Sequence, residues 1–122
     1  HVSYICDANV PTFMLTHWTR DRSRGPKFPI EKIVKKQTSD TAKLYGFLDR
    51  GVLKKGFRAD INIIDYQNLK INKPFIVNDL PGNAQRLMSK AEGYQKTFVS
   101  GELVQENGQD TGCRPGKLVR SQ

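Results

Sequence analysis

The sequence predicts an α+β fold in which helices come first and strands follow. Two observations lead to this prediction. Before Gly46 the apolar residues recur at helical spacing, and after Gly46 they alternate with polar residues as they do in strands. This order of elements is typical of two packed layers. The 122 residues suffice for one domain with its own core, and we divide them into a helical part, residues 1–46, and a strand part, residues 47–122.

Three helices are predicted in the helical part, over residues 11–20, 29–37 and 38–46. Pro11 suits the first position of the first helix, because that position needs no backbone N–H donor. In the second helix Ile33 belongs to an apolar stripe, and lysines occupy the opposite face. Gly46 ends the third helix, and we expect Ala42 and Tyr45 to point inward.

Strands are predicted over residues 51–53, 59–65, 86–88, 96–99 and 102–105. In the second of these, isoleucines alternate with polar residues, which is typical of a strand with one buried face. Ser100 and Gly101 form a two-residue hairpin turn between the last two strands, and Asn107 and Gly108 form the next turn. The tail that follows contains glycine and proline, and we expect it to be irregular.

The positive charge is concentrated in the first half of the chain. The net charge is +8, and residues 1–58 hold 12 basic against 5 acidic residues. The most basic stretch consists of Arg20, Arg22, Arg24, Lys27, Lys32, Lys35 and Lys36. Its lysines lie opposite an apolar stripe, as on an ordinary solvated helix face, and no recognition motif is present. We therefore expect no specific nucleic-acid binding. We also expect no membrane partner, because no apolar run approaches the ~18–20 residues that a spanning helix needs.

Two cysteines and two histidines are the candidate metal ligands of the sequence. Cys6 and Cys113 form no CxxC pair, which disfavours a structural zinc site. Free thiols are favoured over a disulfide between them, although both alternatives stay open. His17 lies beside Trp18 on the first predicted helix. A packing role is favoured for His17, because no second ligand lies at a suitable spacing.

Residues 38–65 resemble the C-terminal region of the metal-dependent amidohydrolases. In that superfamily a short helix is followed by a Gly-x-Leu-x-x-Gly turn and by an Ala-Asp strand that ends in Asp. The matching residues are Gly51, Leu53, Gly56, Ala59, Asp60 and Asp65. The residue types fit these places, since glycine allows a tight turn with positive φ and an aspartate accepts backbone hydrogen bonds at the start of a strand.

Within the superfamily, the sequence is most similar to the D-aminoacylase branch, the N-acyl-D-amino-acid deacylases. Three stretches carry this resemblance: residues 1–8, residues 16–22, and a third that comprises residues 93–94, 99–104 and 108–112. The first resembles the segment just after that branch's last barrel strand, and the second resembles the helix that follows it. The third resembles the closing strands of the branch's small β domain.

The resemblance implies that residues 1–46 are the last helices of a (β/α)8 barrel and that residues 47–122 are part of a small β-sandwich. It also implies a zinc enzyme that hydrolyses the amide bond of N-acyl-D-amino acids. In such enzymes a His-x-His pair, two further histidines and a Cys, Lys or Glu hold the zinc, and an Asp acts on the bound water. His1 and His17 are the two histidines of this sequence, and it holds no His-x-His.

We therefore expect a C-terminal fragment that is inactive alone, with no catalytic residue and no zinc in this chain. The implied partners are the missing N-terminal part of the same cytoplasmic enzyme and a small-molecule N-acyl amino acid. The position after the last barrel strand makes His1, Cys6 and Asp7 candidates for the rim of the substrate pocket. Alternatively, His1 is a frayed terminal residue and Asp7 caps the next helix.

Two other functions remain alternatives at this stage. One is a non-catalytic binding module derived from such an enzyme, and the other is a small basic nucleic-acid-binding domain. Under any of these functions, strands without partners are expected at the edges of the sheet. Since exposed edges with isoleucine-rich faces invite pairing, a homodimer through strand edges is a further prediction.

Overall fold

The computed structural model describes the backbone of residues 6–120 and the side chains of residues 9–120. Its helices are α1 (Cys6–Thr16), α2 (Ile30–Lys35) and α3 (Thr41–Leu44). A π-helical turn, His17–Asp21, extends α1, and another, Lys36–Asp40, joins α2 to α3. The helical part and the strands that follow confirm the predicted α+β class.

Helix α1 begins at Cys6, so the prediction that Pro11 opens the helix is wrong. Pro11 lies inside α1, where it removes one backbone donor from the helix. The helix continues past it because the neighbouring residues keep their own hydrogen bonds. The carbonyl of Pro11 accepts a hydrogen bond from Gln37 Nε2 at 2.9 Å, and this contact ties α1 to the turn after α2.

The end of α3 confirms one prediction and corrects another. Gly46 has a φ of +69°, and Phe47 N donates to Ala42 O at 2.8 Å, which is the pattern of a glycine-terminated helix. Ala42 is buried as predicted, but Tyr45 is 61% exposed. Tyr45 follows the last residue of α3 and has left the helical dihedral angles, so helical spacing does not place it beside Ala42.

In the described part of the chain, eight strands follow the helices. They are β1 (Ile61–Ile64), β2 (Lys70–Ile71), β3 (Phe75–Leu80), β4 (Ala84–Met88), β5 (Ala91–Glu92), β6 (Tyr94–Val99), β7 (Glu102–Glu106) and β8 (Gln109–Asp110). The main sheet has four antiparallel strands in the order β1-β6-β7-β8. Strands β2 and β5 form a second, two-stranded sheet, and β3 and β4 form a third. Four of the five predicted strands are thus confirmed, each with shifted ends.

Both predicted hairpin turns are confirmed. Ser100 and Gly101 have φ values of +53° and +85°, and Asn107 and Gly108 have +49° and +77°. Two successive positive φ angles are the mark of the type I′ turn, whose twist matches that of the flanking strands. These two turns set the register of β6, β7 and β8.

The predicted strand at residues 51–53 is wrong. No described strand pairs with this segment, and Leu53 is 83% exposed. Gly51 has a φ of +86°, and a Cβ at this position would lie 2.9 Å from the Ala42 Cβ and 3.0 Å from the Thr38 carbonyl oxygen. The chain therefore turns tightly against α3 instead of extending.

The core lies where the helices meet one end of the sheets. Leu15 from α1, Ile33 from α2 and Leu69 from the loop before β2 are buried in one cluster, and Leu69 has no exposed surface. Gly93 makes this packing possible, because a Cβ at this position would lie 2.7 Å from the Leu69 Cα. The side chains packed around the cluster are Met14, Phe28, Ile30, Ile64 and Tyr94.

An ion pair anchors the start of the C-terminal tail. Arg114 Nη1 and Nη2 donate to the two carboxylate oxygens of Asp110 at 2.8 and 2.5 Å, and Gly112 N donates to Asp110 Oδ1 at 2.9 Å. The hydrogen bonds from Arg114, followed by that from Gly112, lower the pKa of Asp110 to about 2. The tail therefore leaves the sheet in a fixed direction.

Replacing Leu69 by alanine tests the position of the core. Leu69→Ala is expected to lower the free energy of unfolding by about 2–5 kcal/mol, because it opens a cavity between helices and sheet. The matched control is Leu53→Ala, at an exposed position, where a change within about 0.5 kcal/mol is expected. Urea unfolding measures both variants, and equal losses would contradict this account of the core.

The ion pair at the tail predicts a pH dependence. Since the pKa of Asp110 is lowered in the folded state, its stabilising contribution is complete above the ordinary value of 3.8 and is lost as the pH falls toward about 2. In a carboxyl NMR titration, Arg114→Gln should move the Asp110 midpoint up toward 3.8. Arg24→Gln, a control with the same charge change, should leave the midpoint where it is.

Candidate functional site

The predicted pocket rim falls at the start of α1. His1 lies outside the described residues. Cys6 and Asp7 are the first two residues of α1, so Asp7 lies within the helix and not at the position before it. The side chains of both residues lie outside the described part of the chain. Their role at a pocket rim therefore stays a prediction, and the structure adds that the two share one helical turn.

Hydroxyl groups connect α1 to the strand part. Thr12 Oγ1 and the Tyr94 hydroxyl lie 2.8 Å apart, and Thr16 Oγ1 donates to Thr12 O at 3.1 Å. Thr12 and Thr16 are both buried. One turn further, Thr19 Oγ1 and the Tyr66 hydroxyl lie 2.6 Å apart. Since buried hydroxyls need partners, these pairs fix the rotation of α1 about its own axis.

Arg20 strengthens this connection with a fork of hydrogen bonds. Its guanidinium donates to three carbonyl oxygens of one loop: to Leu69 O at 2.7 Å, to Gln67 O at 3.1 Å, and to Tyr66 O. It also donates to both carboxylate oxygens of Asp21, at 2.6 and 2.9 Å. These bonds lower the pKa of Asp21 below its usual range. We call the guanidinium and its three carbonyl partners the Arg20 clamp.

His17 is packed between aromatic rings, as predicted. Its ring stacks on Phe13 at a centroid distance of 4.7 Å and meets the Trp18 ring edge-on at 5.3 Å. Trp18 in turn lies against Phe28 at 5.9 Å. An imidazole held in such a stack contributes apolar contact area, so His17 belongs to the framework of the helical part.

The described residues do not fit the zinc ion that the resemblance implies. Among residues 9–120, whose side chains the structure describes, no group of three or more His, Cys, Asp or Glu lies close enough to hold a metal ion. A zinc site needs three or four such ligands around one point. Cys113 is exposed and unpaired in the described part of the chain.

Most of the basic stretch is engaged within the chain. Besides the Arg20 clamp, Arg22 lies 4.6 Å from the Trp18 ring centroid and donates to Pro26 O. Lys32 lies over the Phe28 ring at 4.8 Å. Lys27 donates to Arg20 O and Lys35 to Asp40. The contacts of Arg22, Lys27 and Lys32 hold the loop between α1 and α2, and the contact of Lys35 holds the turn after α2. The expectation of no specific nucleic-acid binding stays a prediction.

A second charged cluster, which the sequence analysis missed, lies between α3 and the main sheet. Arg50 donates to Asp49 Oδ1 at 3.0 Å and to Asp60 Oδ2 at 3.1 Å, and Arg58 donates to Asp49 Oδ2 at 3.1 Å. Asp60 Oδ1 accepts the backbone N–H of Ser100 at 2.9 Å, which confirms the expected backbone role of Asp60. The Asp-Arg and Arg-x-Asp spacings in residues 49–60 are the signal that could have indicated the cluster.

A comparison with family models matches residues 1–105 to the amidohydrolase family. The chain belongs to the amidohydrolase family. Searches of curated proteins and of solved structures return no match. The membership confirms the wider resemblance, and the assignment to the D-aminoacylase branch stays a prediction.

The matched part of this amidohydrolase chain contains everything from the predicted pocket rim to most of β7. It therefore includes the Arg20 clamp and the cluster around Arg50. The features that position α1 thus all lie within the family match.

Among the described helices, none has the length and apolar character needed to cross a membrane.

Removing the Arg20 clamp should loosen α1 from the strand part. Arg20→Gln is expected to lower the free energy of unfolding by about 2–3 kcal/mol, because hydrogen bonds from a charged donor are lost. Water that hydrogen-bonds to the freed carbonyl oxygens offsets part of this loss. Arg24→Gln removes the same charge from an exposed position in the loop that follows and should change stability by less than about 0.5 kcal/mol. Urea unfolding measures both variants, and an Arg20→Gln midpoint equal to that of the original chain would contradict the role of the clamp.

Proposed function

We propose that this chain is the C-terminal part of a zinc-dependent amidohydrolase that hydrolyses the amide bond of N-acyl-D-amino acids. The observation that carries the proposal is the family match over residues 1–105. The substrate class is supported by the resemblance to the D-aminoacylase branch in residues 1–8, 16–22, 93–94, 99–104 and 108–112. Binding of an N-acyl amino acid would take place in the intact enzyme.

In this proposal the helical part contributes the last helices of the barrel, and the strand part contributes to a small β-sandwich. The exposed apolar side chains support this division of roles. Val10, Phe13, Val34 and Leu44 remain exposed on the described helices. Surface of this kind is typical of elements that pack against another part of the same enzyme. The Arg20 clamp would then hold the barrel end and the sandwich in a fixed relation.

The zinc site is proposed to lie in the N-terminal part of the enzyme. The sequence holds two histidines and no His-x-His pair, and the described residues do not form a metal cluster. The contribution of this chain to the active site is then limited to the pocket rim, with His1, Cys6 and Asp7. Hydrolysis by this chain alone is not expected.

The position of β1 at the edge of the main sheet supports the proposal that this sheet takes a further strand. Strand β1 lies at one end of the four-stranded order, and Ile63 of β1 is partly exposed. A strand edge of this kind pairs readily with another strand. We propose that the N-terminal part supplies a strand that pairs with β1 in the intact enzyme. When the chain is alone, two copies would pair through this edge of the sheet.

The coding DNA and the longer product that it specifies test the proposed function. We expect an open reading frame upstream of the His1 codon that encodes a His-x-His pair. The purified longer product should contain zinc by elemental analysis and should hydrolyse an N-acetyl-D-amino acid. The chain of 122 residues, measured in parallel, should contain almost no zinc and show no turnover.

The stereoisomer provides the matched control. Because the D-aminoacylase branch is the proposed source, the N-acetyl-L-amino acid should be hydrolysed far more slowly than its D form. A preference for the L form would overturn the substrate class, while the family assignment would stand. Stoichiometric zinc or turnover in the chain of 122 residues would overturn the proposed position of the metal site.

A further inference from the structure

A cavity of about 300 Å³ lies beside the second charged cluster. Its lining comes from three segments: residues 47–50 with Arg58 and Asp60, residues 99–100 at the end of β6, and the tail from residue 116 to residue 120. None of these segments contains a residue of the predicted pocket rim. The ligand proposed for this cavity therefore does not rest on the proposed function.

The two carboxylates in the cavity wall are already bound by protein donors. Asp49 accepts from Arg50 and Arg58, and Asp60 accepts from Arg50 and from the Ser100 backbone. The hydrogen bond from Arg50, followed by that from Arg58, keeps the pKa of Asp49 below its usual range. Both carboxylates therefore hold the arginines in place, and their oxygens are too occupied by these donors to bind a cation well.

The cations of the wall outnumber its carboxylates. Arg50, Arg58, Lys117 and Arg120 face two aspartates around the cavity, which leaves a net charge of +2. Arg58 uses Nε for Asp49 and Nη1 for Ser100 Oγ, and Nη2 has no described acceptor. Among the carboxylates of residues 9–120, whose side chains the structure describes, none pairs with Lys117 or Arg120. The donors that remain are suited to an anion.

Three of the other lining residues are large aliphatic side chains that are exposed. Leu48 is 69% exposed and Leu118 is 80% exposed, and Val119 of the tail is also exposed. Phe47 and Val99 line the same cavity. Large exposed aliphatic side chains beside a positively charged pocket provide two kinds of contact at once. An apolar group that covers them would remove their surface from water.

We propose that this cavity binds a small amphiphilic anion, a carboxylate attached to an apolar chain. The carboxylate accepts hydrogen bonds from Arg58, Lys117 and Arg120, and the chain lies on Leu48 and Leu118. Arg58 Nη2, whose neighbours Nε and Nη1 are held by Asp49 and Ser100, can donate to one oxygen of the carboxylate, which leaves the other oxygen to Lys117 and Arg120. The volume is at the lower end of the range for small-molecule sites, which favours a short chain.

Titration with octanoate tests the proposal on the whole chain. Calorimetry or NMR should show saturable binding of octanoate at least tenfold tighter than that of acetate, which has the charge without the chain. Octylammonium has the chain with the opposite charge and should bind at least tenfold more weakly than octanoate. No saturable binding of octanoate up to about 10 mM, or equal binding of all three probes, would overturn the proposal.

Two tests, each with a matched control variant, locate the site. Lys117→Gln with Arg120→Gln should weaken octanoate binding about tenfold or more, since hydrogen bonds to a charged partner are lost. Lys36→Gln with Lys73→Gln removes the same charge outside the cavity lining and should leave binding unchanged. Leu118→Ser should weaken octanoate without affecting acetate, whereas Leu53→Ser should affect neither. Octanoate binding that is equal in all variants would overturn the site.

A free fatty acid and an acylated amino acid share the proposed chemistry. Comparison of octanoate with N-octanoylglycine distinguishes them, because the second probe places an amide between the chain and the carboxylate. Tighter binding of N-octanoylglycine would identify the acylated compound as the ligand, and tighter binding of octanoate would identify the free acid. Circular dichroism of each variant confirms that its fold is retained.

Discussion

Arg20 donates to three carbonyl oxygens of the loop that carries Leu69, and the position of the helices on the sheets depends on this contact. Leu69 is buried against Leu15 and Ile33, while Gly93 leaves room for its backbone. A charged fork and an apolar contact therefore meet at one loop. Because the buried cluster is small, the polar contacts of α1 carry an unusual share of the connection between the two parts.

The charges of this amidohydrolase chain serve two different purposes. In the loop after α1 the basic side chains hold carbonyl oxygens and aromatic rings, so the basic composition of residues 1–58 supports local structure. In the cluster around Arg50 the aspartates orient arginines toward a cavity. The same composition thus produces a closed network in one place and a site with spare donors in another. Net charge alone does not distinguish the two, since the difference is made by the partners of each side chain.

Much of the strand part follows from local chemistry. The isoleucine alternation that becomes β1 and the paired turn residues at 100–101 and 107–108 are readable in the sequence, because side-chain period and positive φ angles are properties of a few neighbouring residues. The helical part is harder to read. Pro11 is expected at a helix start and lies inside α1, and Tyr45 is expected to point inward and lies outside, because the actual helix ends differ from the predicted ones by a few residues.

By itself the sequence determined the α+β class, the order of the elements, the hairpin turns and the amidohydrolase relation, all of which depend on short patterns. Tertiary structure decided the rest. Residues 51–53 have strand-like composition but no partner strand, so they turn against α3 instead. In the sequence Arg50 and Arg58 resemble ordinary surface arginines. Their role becomes visible only in the fold, which brings the Ser100 turn and the tail beside them. A cavity needs segments from distant positions in the chain, and no local pattern specifies which segments those are.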